Sequence, residues 1–251
     1  MATGVGDDGD GNGRLGQDNH VTSRGNKLKQ WTLDDKVHRC LKGSGFDNPL
    51  LVGNFRVEKS LIRSLLELFD ERRHVFSIGG ELKQDICFGL EDVMFITRLP
   101  IDGKAVTGLE ATSPEEVCAR LLGRNGCELK GEKYNPVVSL NWLQENFMKV
   151  PPEVAEESDD IKVYVRAFVL FVIGCLIVPS ATGAHVSVHY LPLAEDITEI
   201  KSYAWGAALL AHLLSSFIKV AVKHRKDGAG FYFALMVSNI SVFSLVLFVE
   251  Y

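Results

Sequence analysis

The sequence predicts a mainly α fold: a single helical domain that also contains two or three small β-hairpins. Its 251 residues are 46% hydrophobic, which is enough apolar material for one sizeable core. Apolar side chains recur at helical spacing in most segments after about residue 44, whereas the β-prone runs are short and flank Gly-Gly or Asp-Gly pairs. Strands do not alternate with crossover helices, so a doubly wound sheet or a barrel is not expected.

The composition divides the chain into three regions. Residues 1–30 are rich in Gly, Asp and Asn, so we expect a disordered N-terminal tail without a signal peptide. Residues 45–228 have the pattern of a globular domain. Residues 229–251 form a hydrophobic tail that carries no charge from Phe231 to Val249.

The first elements of the domain are a helix and a hairpin. Four apolar residues lie at i, i+4, i+7 and i+8 and predict one buried helix face. They are Leu61, Leu65, Leu68 and Phe69. The following run, HVFSIGGELKQDICF, predicts two short strands, and Gly79-Gly80 suits the two-residue turn between them.

The segment GLEDVMFITRLPIDGKAVTG, residues 89–108, predicts a helix, a proline stop at Pro100 and a second hairpin. Asp102-Gly103 is the signature of a type I′ turn. An apolar helix face and an acidic first turn support the helix. The apolar residues are Leu90, Val93, Met94 and Ile96, and the acidic ones are Glu91 and Asp92.

Several further helices have clear local signals. Ser113, Pro114 and Glu116 predict a capped helix that Gly123 ends. Residues 140–147 predict an amphipathic helix with Leu140, Leu143 and Phe147 on one face, and the acidic residues 151–160 predict a solvated linker.

The last predicted helices are more apolar. Residues 167–178 are continuously apolar but shorter than the roughly 20 residues that span a bilayer, so they predict a buried helix. Arg166 beside it is either a specific anchor or a snorkelling surface charge, and we favour the latter. Residues 195–226 predict one long helix, whose small residues at 204–208 let another helix approach closely.

Charge and cysteine content limit the class of function. The formal net charge is −5, which argues against a dedicated nucleic-acid-binding domain. One local basic cluster remains for that role: Lys219, Lys223, His224, Arg225 and Lys226. The five cysteines include no CxxC pair, so we expect reduced, mostly buried thiols and a location in the cytosol or nucleus.

No motif predicts catalysis, a cofactor or a metal. Gly103 and Gly108 have the spacing of a phosphate loop, but Leu109-Glu110 replaces the required Lys-Ser/Thr. His185 and His189, if extended, would lie about 13 Å apart on one face, too far for a single ion. Cys118 and Cys127 have no second pair nearby.

Two acidic pairs, Glu91/Asp92 and Glu195/Asp196, lie near predicted helix starts, where the helix dipole explains them without chemistry. A nucleophile elbow of the GxSxG type is absent as well. We therefore expect no enzyme, no cofactor, and no catalytic, cofactor-binding or metal-binding residues.

The ordered set of motifs from about residue 45 to 225 resembles the plant mobile domain family, which includes the MAIN-like proteins and retrotransposon-related proteins. The resembling motifs are LEDV, LPIDGKAVTG, RAFVLFVIG, YLPL and the helix that starts YAWG. Family members are described as aminotransferase-like, but a pyridoxal enzyme needs a Schiff-base lysine in a recognisable setting, and none is evident.

The resemblance implies a nuclear protein–protein interaction module that acts in transposon silencing, genome stability or meristem maintenance. It also implies a phosphatase-like or chromatin-associated partner. Alternatives are a nucleic-acid-binding protein of transposon origin and a membrane-tethered variant, and the alternative location is the cytoplasm. The tail from residue 229 departs from the family pattern, and we interpret it as truncation or divergence, with a soluble core element or a membrane anchor as alternatives.

Overall fold

The structure is a computed structural model that describes residues 25–47, 59–78, 84–108, 113–130, 135–180 and 183–221. Helix predominates in these residues, and two small antiparallel sheets accompany it. The α-helices are α1 (Gly25–Leu28), α2 (Asp35–Cys40), α3 (Lys59–Glu67), α4 (Leu90–Thr97), α5 (Pro114–Leu122), α6 (Leu140–Phe147), α7 (Asp159–Val172) and α8 (Trp205–Ala221). The strands are β1 (Phe69–Asp70), β2 (Val75–Ile78), β3 (Gln84–Cys87), β4 (Cys127–Lys130), β5 (Asn135–Ser139) and β6 (His185–Ser187).

Helix α7 is the centre of the core, as predicted for residues 167–178. It continues into a π-helical turn, Ile173–Ile177, and every residue from 167 to 177 is buried. The ring of Trp31 packs on it, with centroids 5.6 Å from Phe168 and 4.6 Å from Phe171. Contact on all sides explains why residues 167–177 have no polar face.

The strands form two three-stranded sheets rather than the isolated hairpins predicted, so the fold is mainly α but not all α. In the first sheet β1 pairs with β2 and β2 with β3. Ile78 pairs with Gln84, so residues 79–83 connect the two strands, and the predicted Gly79-Gly80 turn lies outside the described residues. The second sheet has the order β4-β5-β6, and its third strand returns from beyond α7.

Helix α3 confirms the predicted amphipathic helix but ends earlier. It stops at Glu67, so Leu68 is 39% exposed and Phe69 belongs to β1. Phe69 is still buried, where its ring contacts those of Phe76 and Phe217. The buried face of the helix is Ile62, Leu65 and Leu66.

The predicted hairpin at Asp102-Gly103 is wrong. Helix α4 ends at Thr97 with Arg98 in the left-handed region, and the chain then runs parallel to residues 202–204. The amide of Lys104 donates to Ser202 O at 2.7 Å, and the amide of Ala204 donates to Lys104 O at 2.9 Å. The positive φ of Gly103 serves this docking instead of a two-residue turn, because a Cβ there would lie 2.2 Å from Ser202 O.

This pairing also breaks the predicted long helix. Residues Ile197–Ser202 form a 3₁₀ turn, Tyr203 is extended, and α8 begins only at Trp205. The backbone groups of Ser202 and Ala204 that a continuous helix would use are engaged with Lys104. At Gly206 it is the extended segment at residues 99–101, rather than a helix, that approaches closely.

Local capping signals are confirmed. Ser113 Oγ accepts from the amide of Glu116 at 3.4 Å, and Gly123 ends α5 in the left-handed region. Ser139 caps α6 in the same way, and the predicted face of that helix is buried. Its members are Leu140, Leu143 and Phe147.

The ends of the chain and the linker differ from the prediction in part. Leu28 lies in α1 and is fully buried, so the end of the region predicted as a tail, residues 1–30, belongs to the core. The acidic linker docks on α2: Arg39 pairs with Glu156 at 2.7 Å, and Lys36 Nζ donates to Val154 O at 2.7 Å. The predicted tail at residues 229–251 lies outside the described residues.

Candidate functional site

Three of the four exposed large apolar side chains in the described residues lie on α4, and the fourth is Leu68. Phe95 is 68% exposed, Leu90 39% and Met94 38%. Successive residues of a helix are about 100° apart, so Leu90 and Met94 share one ridge. Glu91, Phe95 and Arg98 form the neighbouring ridge, and Glu91 and Arg98 are also exposed. These five residues are called the α4 face below.

The opposite side of α4 holds the helix in place. Val93 and Thr97 are buried. The hydroxyl of Thr97 donates to Val93 O at 2.7 Å and accepts from the amide of Leu99 at 3.2 Å. Leu90 and Met94 had been predicted to face the core, and this part of the prediction is wrong because the buried stripe is narrow.

The acidic pairs have structural roles. Asp92 accepts from the amide of Gly89 at 2.8 Å, so it caps α4. Asp196 caps the 3₁₀ turn by accepting from the amide of Thr198 at 2.9 Å. Glu195 forms an ion pair with Arg120, and hydrogen bonding to that guanidinium lowers the pKa of the Glu195 carboxyl.

Arg166 is a specific anchor, so the favoured reading as a snorkelling charge is wrong. Its guanidinium donates to Glu195 O at 2.7 Å, to Ala194 O at 3.2 Å and to Leu121 O at 3.4 Å. Desolvation lowers the pKa of Arg166, the direction that burial imposes on a cation. The side chain joins the end of α5 to residues 194–195, just before the 3₁₀ turn Ile197–Ser202.

The two histidines singled out from the sequence meet in one cleft. His185 lies on β6 and His189 in the 3₁₀ segment Val188–Ala194, so they do not share one face of a strand. Both line a cleft together with His212 of α8. Nevertheless, no group of three His, Cys, Asp or Glu side chains in the described residues is arranged to hold a metal ion.

The cysteines are free thiols. Cys118 and Cys175 are buried, Cys40 and Cys127 are half-buried and Cys87 is exposed, so the expectation of mostly buried thiols is met only in part. Burial raises the pKa of Cys118 to about 12, and its thiol is hydrogen-bonded with that of Cys127. Such a thiol is a poor nucleophile, because the thiolate is the reactive form.

Two predicted features fall mainly outside the described residues. Of the basic cluster, only Lys219 belongs to the described part of the chain, where it is exposed on α8. Among the described helices, none combines the length and apolarity that crossing a bilayer requires.

Sequence reasoning missed two features whose signals were present. On α4, Glu91, Phe95 and Arg98 recur at i, i+4 and i+7, which sets an aromatic residue on the same ridge as two charges. On α8, a polar stripe at residues 212, 216 and 219 interrupts an otherwise apolar helix with the same spacing.

Known proteins match most of this chain. Over 205 residues it is 32% identical to the protein MAIN-LIKE 2 of Arabidopsis thaliana, a match that covers 81% of this chain and 30% of the relative. It is also 32% identical to the protein MAINTENANCE OF MERISTEMS of the same plant, over 78% of this chain and 43% of the relative. A serine/threonine-protein phosphatase 7 long form homolog matches at 32% identity, over 74% of this chain and 13% of the relative.

The chain therefore spans less than half the length of these relatives. No solved structure matches it. The profile of the plant mobile domain family matches residues 51–248, a range that includes all the elements from α3 to α8. This match and the relatives show that the chain belongs to the plant mobile domain family.

Proposed function

We propose that this chain is a non-enzymatic protein–protein interaction module and that it binds its partner through the α4 face. The observation that carries the proposal is the exposure of Phe95, Met94 and Leu90 on one rigid helix. Isolated exposed leucines are normal on a soluble protein, but an aromatic residue exposed beside two large aliphatic side chains is not.

The composition of the α4 face fits a protein partner. Aromatic residues, Met and Arg are enriched at protein interfaces, and few residues carry most of the binding energy. Glu91 and Arg98 stand at the two ends of the apolar ridge, so a partner with a central apolar pocket and flanking charges of opposite sign would complement it. The helix is fixed by Val93 and Thr97, so little ordering is required on binding.

The relatives support one part of the biological setting that we propose. Family proteins are implicated in meristem maintenance. We propose that this chain acts in the nucleus, in transposon silencing or genome stability, with a phosphatase-like or chromatin-associated partner. The match to part of a chain named as a phosphatase long form supports a domain that works beside a catalytic unit.

The test is quantitative affinity purification from plant nuclei with three forms of the full chain. Phe95→Glu places a charge on the α4 face, and Ala119→Glu places the same charge on an exposed position of α5. We expect a phosphatase-like or chromatin protein to be recovered with the unsubstituted chain and with Ala119→Glu, and to be lost with Phe95→Glu.

Binding of the recovered partner is then measured with purified proteins. Losing an aromatic residue at an interface centre costs about 2 kcal/mol or more, so Phe95→Glu is expected to weaken binding by about 30-fold. Equal recovery with both variants, or equal affinity, would refute the role of the α4 face.

The alternatives stay predictions. Nucleic-acid binding depended on a basic cluster of which only Lys219 is described, and the membrane-tethered variant depended on residues 231–249, which the structure does not describe.

A further inference from the structure

A second candidate site is the cleft between α8 and the second sheet. It has a volume of about 460 Å³, within the range of roughly 300–1,000 Å³ that is usual for small-molecule sites. Strand β6 and the 3₁₀ segment after it contribute His185, His189 and Tyr190. Helix α8 contributes the stripe of His212, Ser216 and Lys219. These six residues are called the histidine cleft below.

The histidine cleft is rich in hydrogen-bond donors and carries no negative charge. No Asp or Glu is among the described residues that line it, although the whole chain has a formal net charge of −5. Lys219 supplies a fixed positive charge and three donors, and the imidazole of His189 supplies at least one more. Burial raises the pKa of Tyr190, so its phenol keeps the proton that it can donate.

We propose that the histidine cleft binds a small molecule through a phosphate group. This inference goes beyond the proposed function, because the cleft shares no residue with the α4 face. A phosphate monoester carries close to two negative charges and three acceptor oxygens near neutral pH, which matches a cationic site with several donors. A carboxylate has only two oxygens and one charge, so it would use fewer of these groups.

The rest of the lining suits the organic part of such a ligand. Val137, Val178 and Pro179 give the cleft an apolar wall beside the donors. The combination of an apolar wall with a few convergent polar groups is typical of small-molecule sites. A bare metal ion is the less suitable occupant, because no three ligating side chains in the described residues converge on one point.

Gly108 allows the backbone to lie close to His189 at the edge of the cleft. It lines the cleft, and a Cβ there would lie 3.0 Å from His189 Cβ. The sequence of this segment lacks the lysine of a phosphate loop. Its last glycine nevertheless leaves room beside His189, which also lines the cleft.

The test is calorimetric titration of the full chain with inorganic phosphate, glucose 6-phosphate and adenosine monophosphate. Glucose and adenosine are the matched uncharged probes, and glucuronate, with a single carboxylate, is the carboxylate probe. We expect at least one phosphate probe to bind with a Kd below about 1 mM, and the uncharged probes not to bind. No binding of any phosphate probe up to about 5 mM would overturn the proposal. Tighter binding of glucuronate than of every phosphate probe would overturn the phosphate assignment, and binding of a phosphoserine peptide alone would overturn the small-molecule assignment.

Two pairs of variants locate the site. Lys219→Gln and Lys149→Gln remove the same charge from exposed positions, inside and outside the cleft respectively. We expect Lys219→Gln to weaken phosphate-probe binding by about five- to tenfold, and Lys149→Gln to leave it within about twofold. His189→Gln removes an imidazole from the cleft, and His38→Gln removes one from an exposed position of α2 as its control. We expect only His189→Gln to weaken the binding of the phosphate probes.

Thermal unfolding of each variant without ligand shows that a loss of binding is not a loss of fold. Equal affinities for the cleft variants and their controls would overturn the location of the site. This result is independent of the α4 face, because Phe95→Glu is expected to leave the affinity for phosphate probes unchanged.

Discussion

Replacing Arg166 by methionine tests whether this residue is an anchor. Methionine keeps an apolar stem of similar length, so the substitution removes mainly the guanidinium and its contacts. Two of these contacts, to Glu195 O at 2.7 Å and Ala194 O at 3.2 Å, are of good length. A hydrogen bond from a charged group contributes about 1.5 kcal/mol at the lower end of its range, which gives about 3 kcal/mol for the pair.

The side chain is half-buried, so solvent compensates part of this loss, and we expect the free energy of unfolding to fall by about 2 kcal/mol. With a urea m-value of about 2 kcal/mol per M, the unfolding midpoint moves down by about 1 M. The assay is urea unfolding followed by circular dichroism and by tryptophan fluorescence, and coincidence of the two signals tests the two-state assumption.

Arg120→Met is the matched control. Arg120 also contacts Glu195, but as an exposed ion pair with side chains 54% and 49% accessible, and such pairs contribute about 0–1 kcal/mol. Arg166→Lys keeps the charge but not the fork of donors, so an intermediate loss is expected. If Arg166→Met and Arg120→Met shift the midpoint equally, Arg166 is a surface charge and the anchoring argument is refuted.

Three further predictions concern the backbone and the thiols. Gly103→Ala is expected to lower the free energy of unfolding by about 2–4 kcal/mol, because a Cβ would lie 2.2 Å from Ser202 O. Gly43→Ala is the control: Gly43 also has a positive φ, 75° against 129° at Gly103, but a Cβ there meets open space, so a loss of about 1 kcal/mol is expected. Equal losses in thermal unfolding would contradict the docking at Gly103. In the folded protein an alkylating reagent is expected to modify exposed Cys87 first and to leave buried Cys118 unmodified until unfolding, as peptide mass spectrometry would show. Since the pKa of Cys118 is raised to about 12 from an ordinary value of about 8.5, its contribution to stability is complete below pH 8.5 and declines as the pH rises toward 12. Between pH 8 and pH 10 the urea midpoint of unfolding should therefore fall further for the unsubstituted chain than for Cys118→Ala. Equal decreases in the two proteins would contradict the raised pKa of Cys118.

The elements that sequence reasoning predicted correctly are those whose signals are local. The cap at Ser113 and the end at Gly123 lie within one short segment, and they fix α5 without reference to the rest of the chain. The continuous apolar run at residues 167–177 likewise requires burial on every side, whatever surrounds it.

The errors arise where distant segments pair. Strand β6 joins β5 across α6 and α7, and no local pattern announces this third strand. Asp102-Gly103 has the composition of a hairpin turn, but its glycine is used to dock against Ser202. The same docking ends the helical pattern before Trp205, so one tertiary contact accounts for two wrong predictions.

The candidate sites were predictable only in part for the same reason. On α4, periodicity identified the helix. Which ridge of α4 is buried depends on its packing against α8, which the sequence does not show, so Leu90 and Met94 were wrongly predicted to face the core. The histidine cleft joins residues from β6, from the 3₁₀ segment after it and from α8, and Gly108 lines its edge. The polar stripe of α8 was visible in the sequence, but its partners were not.

The two proposed sites share one framework. Helix α8 contacts α4 along the core, its first residues hold the docked segment at 99–104, and its polar stripe lines the histidine cleft. The chain from Arg98 to Gly108 connects the α4 face with the edge of the cleft and is pinned between them at Gly103. A substitution on either surface should therefore affect that surface alone, whereas Gly103→Ala disturbs the connection and should weaken both kinds of binding. If Gly103→Ala impaired binding at one surface and left the other at full affinity, the two surfaces would not depend on this common support.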